Sequence, residues 1–282
     1  MNRPDDETGV TVARDSAGRR STSAFGREVV AAALDAVAPA AAAPARGESD
    51  WRANYPRHVL ALAGSSATDA DSPLKVARAG LAAIAARLRF VLDGAERPLS
   101  EAMSAPRAGL LRTAAATGSG DSAPAPLAIS YRGRELSGDA LLRQLDDWVA
   151  RGIAEPSFAQ ALRLVHDNPD WLDLADQHIA LLGAGAEIGP FEWLARRRAN
   201  LVAIDLPRPA IWERLIATAR AGNGTLFLPV RGQPDMADGD QLPSRRAGAD
   251  LLTETPEVAA WLAGFDAPLT VGAYAYLDGA RH

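Results

Sequence analysis

The 282-residue chain contains no cysteine. Without a thiol it cannot form a disulfide, a thiolate nucleophile or a zinc–thiolate site, so these three kinds of chemistry are excluded. Histidine is also scarce, because only His58, His166, His178 and His282 are present, and their separations match no metal-ligand spacing. We therefore expect no metal site, and the sequence assigns no histidine a catalytic role.

Lysine is nearly absent as well, since Lys75 is the only one in the chain. Arginine supplies the other basic groups, which together with the abundance of alanine is typical of a GC-rich genome. Any mechanism that requires a lysine must therefore use Lys75. The formal net charge of -5 gives no support to a nucleic-acid partner or to an acidic membrane partner.

Long apolar runs are missing too. No stretch of about 20 apolar residues offers a membrane span. Residues 1–20 lack the apolar core of a secretory signal, and Asp5, Asp6 and Glu7 disfavour a transit peptide. We expect a cytoplasmic protein with no membrane and no nucleic-acid partner, and the sequence leaves its oligomeric state open.

What is present supports a sizeable core, because 48% of the residues are hydrophobic. Residues 1–50, rich in Ala, Ser, Gly, Arg and Pro, predict a disordered tail with room for one short helix at AFGREVVAAALDAV. Residues 51–126 predict a mainly helical region that ends in the linker AAATGSGDSAPAP. Residues 127–176 predict a strand and turn, LAISYRGREL, followed by two amphipathic helices that form a hairpin.

The clearest helix before residue 127 is SPLKVARAGLAAIAARLRFVL. Ser72 can cap it, and Pro73 suits its first turn. Leu74, Ala77, Leu81, Ile84, Leu88 and Val91 recur at helical spacing, so we expect them to form an apolar stripe on one face of the helix.

Residues 177–282 alternate between apolar runs and helical patterns. The runs HIALL, NLVAIDL, GTLFLPV and PLTVGAYAYL predict four strands, with a helix between successive strands. This alternation predicts an α/β domain with a parallel sheet and crossover helices. Because nucleotide-binding sheets of this kind have about six strands, the others would come from a further C-terminal part or from the N-terminal region, and both alternatives stay open.

A glycine-rich turn separates the first strand of this domain from its first helix. Gly183 would permit the tight turn, Gly185 would let backbone N–H groups approach a pyrophosphate, and Gly189 would let the helix pack on the strand. Asp205 follows at the end of the second strand, where a carboxylate can accept hydrogen bonds from ribose hydroxyls.

On these residues the chain resembles the Rossmann-fold NAD(P)-binding superfamily, and within it the short-chain-dehydrogenase-like nucleotide-binding domains, over residues 177–282. The resemblance implies a Rossmann-like parallel sheet that binds NAD, with NADP as the alternative, in an oxidoreductase or a fragment of one. The cofactor-binding residues that it implies are Gly183, Ala184, Gly185, Ala186, Glu187, Ile188, Gly189 and Asp205.

The choice between the two cofactors depends on charge. Asp205 favours NAD, because its carboxylate would repel the 2′-phosphate of NADP. Arg208, close to the end of the same strand, favours NADP, because its guanidinium can hold that phosphate.

Two other interpretations remain open. The same strand, turn and acidic residue resemble S-adenosylmethionine-dependent methyltransferases, whose ligand has no pyrophosphate and tolerates Glu187 better. The domain can also be a non-catalytic Rossmann-like binding module. If the turn binds nothing at all, Asp205 only caps the next helix. No lysine follows Tyr274 or Tyr276, so the Tyr-x-x-x-Lys pair of short-chain dehydrogenases is absent; the catalytic residues and the small-molecule substrate stay unknown.

Overall fold

The computed structural model describes residues 8–14, 18–107, 109–232 and 244–276. The chain is an α/β protein that divides into two compact units. The first unit comprises the chain up to Arg107 together with Leu252–Ala259, and the second comprises the remainder. Among the helices of the described residues, none is both long and apolar enough to cross a lipid bilayer.

The first unit combines helices with a small antiparallel sheet. In chain order its elements are β1 (Gly9–Val12), α1 (Thr22–Asp35), α2 (Pro39–Arg46), α3 (Trp51–Ser66), α4 (Ser72–Arg87), β2 (Leu88–Leu92), β3 (Ala95–Pro98) and α5 (Leu99–Ser104). The three strands pair in the order β1-β2-β3, so residues from the N-terminal stretch and residues 88–98 build one sheet.

The prediction of a disordered tail over residues 1–50 is wrong for most of that stretch. The helix expected at AFGREVVAAALDAV is present as α1, where Ser21 caps the first turn by accepting the Ala24 N–H at 3.1 Å. The alanine-rich α2 is helical as well, because Ala42 and Ala45 are buried against Ala31 and Leu34 of α1. A low-complexity sequence therefore forms a packed pair of helices here. Residues 1–7 and 15–17, which belong to the same predicted tail, lie outside the described residues.

The stripe predicted for this helix is wrong in part, because α4 ends at Arg87, Leu88 and Val91 belong to β2, and only Val91 of the six residues is buried. Leu74 and Leu81 are 51% and 66% exposed, whereas Ala83 is buried. Helix α4 packs against α1, and the ideal Cβ position of Gly80 lies 3.9 Å from the Ala33 Cβ atom. Small residues thus allow a close approach of the two helices, and the leucines are left on the outer face.

A buried charged cluster joins the α2–α3 connection to α3. Glu48 and His58 are each 5% exposed, and Glu48 Oε2 lies 3.1 Å from His58 Nε2. Arg57 also donates to Oε2, while Oε1 accepts from the Asp50 N–H at 3.0 Å and from Asn54 Nδ2 at 3.1 Å. The hydrogen bond with His58, helped by those from Asp50, Asn54 and Arg57, lowers the pKa of Glu48 from 4.5 to about 2, although burial opposes the shift.

This cluster predicts an acid-sensitive first unit. Because the pKa of Glu48 is lower in the folded state, its contribution to stability is present above pH 4.5 and is lost as the pH falls toward 2. We expect Glu48→Gln to lower the melting temperature at pH 7 and to reduce the difference in melting temperature between pH 7 and pH 3. The exposed Glu101 provides the control Glu101→Gln; if both variants show the same pH dependence as the parent protein, the cluster does not stabilise the fold.

The second unit contains the parallel strands predicted from the alternating runs. In chain order its elements are β4 (Leu111–Thr117), β5 (Ala128–Tyr131), β6 (Arg134–Ser137), α6 (Gly138–Ala150), α7 (Pro156–Asp167), β7 (His178–Leu182), α8 (Phe191–Ala195), β8 (Asn200–Ile204), α9 (Pro209–Ala221), β9 (Thr225–Arg231) and β10 (Leu269–Ala273). Helix α10 (Thr255–Ala263) begins in the first unit and ends in the second. The predicted hairpin over 127–176 is present, with β5 and β6 before the paired helices α6 and α7.

The main sheet has five strands in the order β10-β7-β8-β9-β4. The four predicted strands, β7 to β10, run parallel to one another, as their alternation with helices indicated. Buried side chains of β7, β8, β9 and α9 form the core of the sheet, so β7 and β8 are rich in Leu, Ile, Val and Ala.

The predicted linker is wrong in part, because Ala114–Thr117 belong to β4. This strand pairs antiparallel with β9, from Leu111 opposite Arg231 to Thr117 opposite Thr225. A segment that precedes residue 127 therefore supplies a strand to this sheet, which is the N-terminal alternative that the sequence left open.

Candidate functional site

The strand order reverses at β7. From β7 the chain proceeds outward through β8 to β9, and it then returns through α10 to place β10 on the other side of β7. Crossovers that leave a strand in opposite directions separate at its carboxyl end, where open α/β sheets bind ligands. The predicted glycine turn begins there, because Gly183 directly follows β7.

Gly183 allows a close contact between this turn and the segment after β10. Its φ is +84°, in the left-handed region, and an added Cβ atom would lie 2.5 Å from the Ala275 backbone N. The N–H groups of Tyr274 and Ala275 both donate to the Leu182 carbonyl, at 2.7 and 2.8 Å. The glycine is therefore needed for backbone contact at the end of the sheet.

Gly185 lies between two charged side chains. Its N–H donates to Asp205 Oδ2 at 2.7 Å, and its carbonyl accepts from Arg214 Nη2 at 2.8 Å. An added Cβ atom would lie 2.9 Å from Ile211 Cγ2 and 3.0 Å from Asp205 Oδ2. Glycine at this position therefore admits side chains from α9 and from the end of β8.

Asp205 is half-buried, and both of its carboxylate oxygens accept backbone hydrogen bonds. Oδ2 accepts from Gly185, and Oδ1 accepts the Leu206 N–H at 2.7 Å. The suggestion that Asp205 caps the next helix is wrong, because the N-cap of α9 is Arg208 and no side chain caps that helix. Asp205 instead connects the glycine turn to the end of β8 through its hydrogen bond with the Gly185 N–H.

The remaining predicted residues divide into a bonded group and an exposed group. The N–H groups of Gly183 and Ala184 donate to the Ile204 carbonyl at 2.8 and 3.1 Å, and Ala186 donates to the Gly183 carbonyl at 3.1 Å. The Gly189 N–H donates to the Ala186 carbonyl at 3.0 Å. The side chains of Glu187 and Ile188 are exposed, at the outer part of the turn.

Helix α8 is shorter and later than expected. Of the segment EIGPFEWLARR, where a helix is predicted between the first two strands, α8 covers only Phe191–Ala195, with Pro190 as its N-cap. The turn is thus separated from the helix by Ala186–Gly189, which form further turns of their own. The structure brings together Gly183, Gly185 and Asp205 and leaves Glu187 and Ile188 outside this group.

Two contact residues were missed by the sequence argument. Ile211 and Arg214 are three residues apart in α9, so they share one face of the helix and both approach Gly185. The only signal in the sequence was their spacing within the helix that follows Asp205. Arg208, proposed as a phosphate ligand, is exposed at the start of the same helix.

Comparison of the chain with protein-family models, with curated proteins and with solved structures gives no match.

Proposed function

We propose that the α/β domain within residues 177–282 is Rossmann-like and binds NAD(P) at the Gly183–Gly189 turn, as an oxidoreductase or part of one. The observation that carries the proposal is the meeting of this turn with Asp205 at the strand-order reversal. The order β9-β8-β7-β10 also supports it, because dinucleotide-binding sheets arrange their first four strands as third, second, first and fourth.

The residues present fit the adenosine half of such a cofactor. Each oxygen of Asp205 accepts one backbone N–H, and a carboxylate oxygen can accept a second hydrogen bond, here from a ribose hydroxyl. The bonds to Gly185 and Leu206 also fix the direction of the carboxylate before a ligand arrives. A bound nicotinamide cofactor would supply hydride transfer, and this chain's part is to bind and orient the adenosine end.

Calorimetric titration with NAD, NADH, NADP, NADPH and adenosylmethionine is the direct test. We expect binding of at least one nicotinamide cofactor. Binding of adenosylmethionine alone would replace the proposal with a methyltransferase. If none of the five compounds binds, the proposed cofactor site is wrong.

Asp205→Ala is expected to weaken NAD binding by about 1–3 kcal/mol, because it removes a charge-assisted acceptor for the ribose. NADP binding should weaken less, or become stronger, since repulsion of its 2′-phosphate disappears. Calorimetry on the parent protein and the variant measures both changes.

The control for this prediction is Asp205→Asn. An asparagine retains one oxygen that can accept a backbone N–H, so it should preserve more of the thermal stability than alanine while still lacking the charge. We expect Asp205→Asn to lose preference for NAD over NADP. If both variants melt at lower temperature and bind NAD with unchanged affinity, Asp205 only fastens the turn.

A second candidate function, a non-catalytic binding module, is favoured by one observation. Four consecutive N–H groups of the turn, from Gly183 to Ala186, already donate hydrogen bonds within the domain. The backbone of the turn therefore offers few donors to a ligand. Such a module would show no turnover. Cofactor-coupled absorbance change with any substrate would exclude it.

A further inference from the structure

The backbone N–H and carbonyl groups of Gly185 form hydrogen bonds with two side chains of opposite charge. Asp205 accepts its N–H at 2.7 Å, and Arg214 donates to its carbonyl at 2.8 Å. Asp205 Oδ2 and Arg214 Nη2 lie 3.0 and 3.1 Å from the ideal Cβ position of this glycine. An acceptor group for hydroxyls and a cationic donor group therefore lie beside the same residue.

Among the described residues, Arg214 forms no ion pair with a carboxylate. Its side chain is exposed, and in the part of the chain that the structure describes it forms a hydrogen bond with the neutral Gly185 carbonyl and no ion pair. A guanidinium carries five N–H donors in a planar fork that matches the oxygens of a phosphate. The bond to Gly185 orients this fork at the turn and leaves further donors on it.

Most backbone N–H groups of this turn are already bonded. Those from Gly183 to Ala186 donate hydrogen bonds within the domain, whereas the N–H groups of Glu187 and Ile188 remain as donors. Helix α8 has only five residues and begins at Phe191, so its N-terminus adds no phosphate site. A cationic side chain would supply the charge that neutral N–H groups lack, and Arg214 contacts the turn.

We infer that Arg214 is the phosphate-binding residue of this site, and that the ligand is a phosphorylated adenine nucleotide rather than adenosylmethionine. The inference rests on the proposed function, because it takes Asp205 as the partner of the ribose. A nucleotide offers both groups in one molecule, with hydroxyls for the Asp205 carboxylate and a phosphate for the Arg214 guanidinium. Adenosylmethionine offers the hydroxyls and a carboxylate, but its ammonium and sulfonium groups give it a net positive charge, so it suits the Arg214 guanidinium less well than a phosphate does.

The test is calorimetric titration of the full chain with adenosine, AMP, ADP, NAD and adenosylmethionine. For the parent protein we expect ADP to bind about tenfold to a hundredfold more tightly than adenosine, the range for hydrogen bonds to a charged group. Arg214→Met should bring the affinity for ADP close to that for adenosine, and the affinity for adenosine should fall by a much smaller factor. Arg214→Lys should restore part of the difference, because lysine keeps the charge but not the planar fork.

Two controls separate phosphate binding from a structural role. Arg196→Met removes the same charge from an exposed arginine whose ion pair is with Glu192, and it should not alter the preference for ADP. Melting temperatures show whether loss of the bond to the Gly185 carbonyl disturbs the fold, and Arg214→Lys retains a donor for that carbonyl.

Each contrary outcome has a distinct meaning. If the parent protein binds NAD but binds adenosine, AMP and ADP equally, this inference is overturned and the proposed function survives. Equal losses of adenosine and ADP affinity in Arg214→Met would also overturn it, since Arg214 would then only position the turn. Tighter binding of adenosylmethionine than of ADP would overturn it as well, and if no compound binds, the proposed function fails with it.

Discussion

Replacing Trp212 by alanine is expected to lower the free energy of unfolding by about 3–5 kcal/mol, the range for removing a large buried aromatic side chain. Trp212 lies in the first turn of α9 and is fully buried in the core of the main sheet. Its indole Nε1 donates to the Leu206 carbonyl at 3.0 Å, and the ideal Cβ position of Gly248 lies 2.5 Å from the same nitrogen. The substitution therefore leaves a cavity, and the Leu206 carbonyl keeps only its hydrogen bond from the Arg208 N–H at 2.7 Å.

Urea denaturation followed by far-UV circular dichroism measures this effect without depending on tryptophan fluorescence. Trp212→Phe retains most of the apolar volume but lacks the N–H, so its smaller loss estimates the contribution of the bond to Leu206. Trp171→Ala is the matched control, because Trp171 is 59% exposed and should change stability by about 0.5 kcal/mol or less. Equal losses for Trp212→Ala and Trp171→Ala would contradict the assignment of Trp212 to the core.

The elements that the sequence predicts well are those whose signals are local. The run NLVAIDL gives β8 at Asn200–Ile204, and PAIWERLIATARAG gives α9 at Pro209–Ala221. A buried parallel strand is a continuous apolar run, and an amphipathic helix repeats its apolar face every few residues. Both patterns lie within the segment itself, so no knowledge of distant partners is needed.

The elements that it misses depend on distant partners. Strand β4 contains Ala114, Ala115 and Ala116, which carry little strand signal, and its pairing with β9 joins residues more than a hundred positions apart. The sequence of helix α2 resembles a low-complexity linker, but in the structure its Ala42 and Ala45 pack against Leu34 of α1. Contacts with distant packing partners determine the structure of these two elements, and the local sequence propensity carries no information about those contacts.

The candidate site shows the same division. Spacing alone places Gly183, Gly185 and Asp205 at the carboxyl ends of neighbouring strands, and in the structure Gly185 bonds to Asp205 while Gly183 bonds to the adjacent Ile204. That Asp205 bonds to the Gly185 N–H, and that Arg214 bonds to the carbonyl of the same residue, depends on side-chain directions that spacing does not specify.

Gly183→Ala is expected to lower the free energy of unfolding by about 2–5 kcal/mol, the sum of two costs. The left-handed φ of +84° costs an alanine about 1–2 kcal/mol. The new Cβ atom would also lie 2.5 Å from the Ala275 backbone N and 2.7 Å from its Cα, so the segment after β10 must move, at about 1–3 kcal/mol. Urea denaturation of the full chain measures the sum.

The hairpin between β5 and β6 provides the control that separates these two costs. Gly133 has a similar φ of +73°, but nothing lies within 4 Å of its ideal Cβ position. Gly133→Ala should therefore incur only the backbone cost of about 1–2 kcal/mol, and the entropy that either alanine removes from the unfolded chain cancels in the comparison. The difference between the two variants then measures the contact between the glycine turn and Ala275. Equal losses would mean that this segment moves away without cost, and Gly183 would then be required only for its backbone conformation.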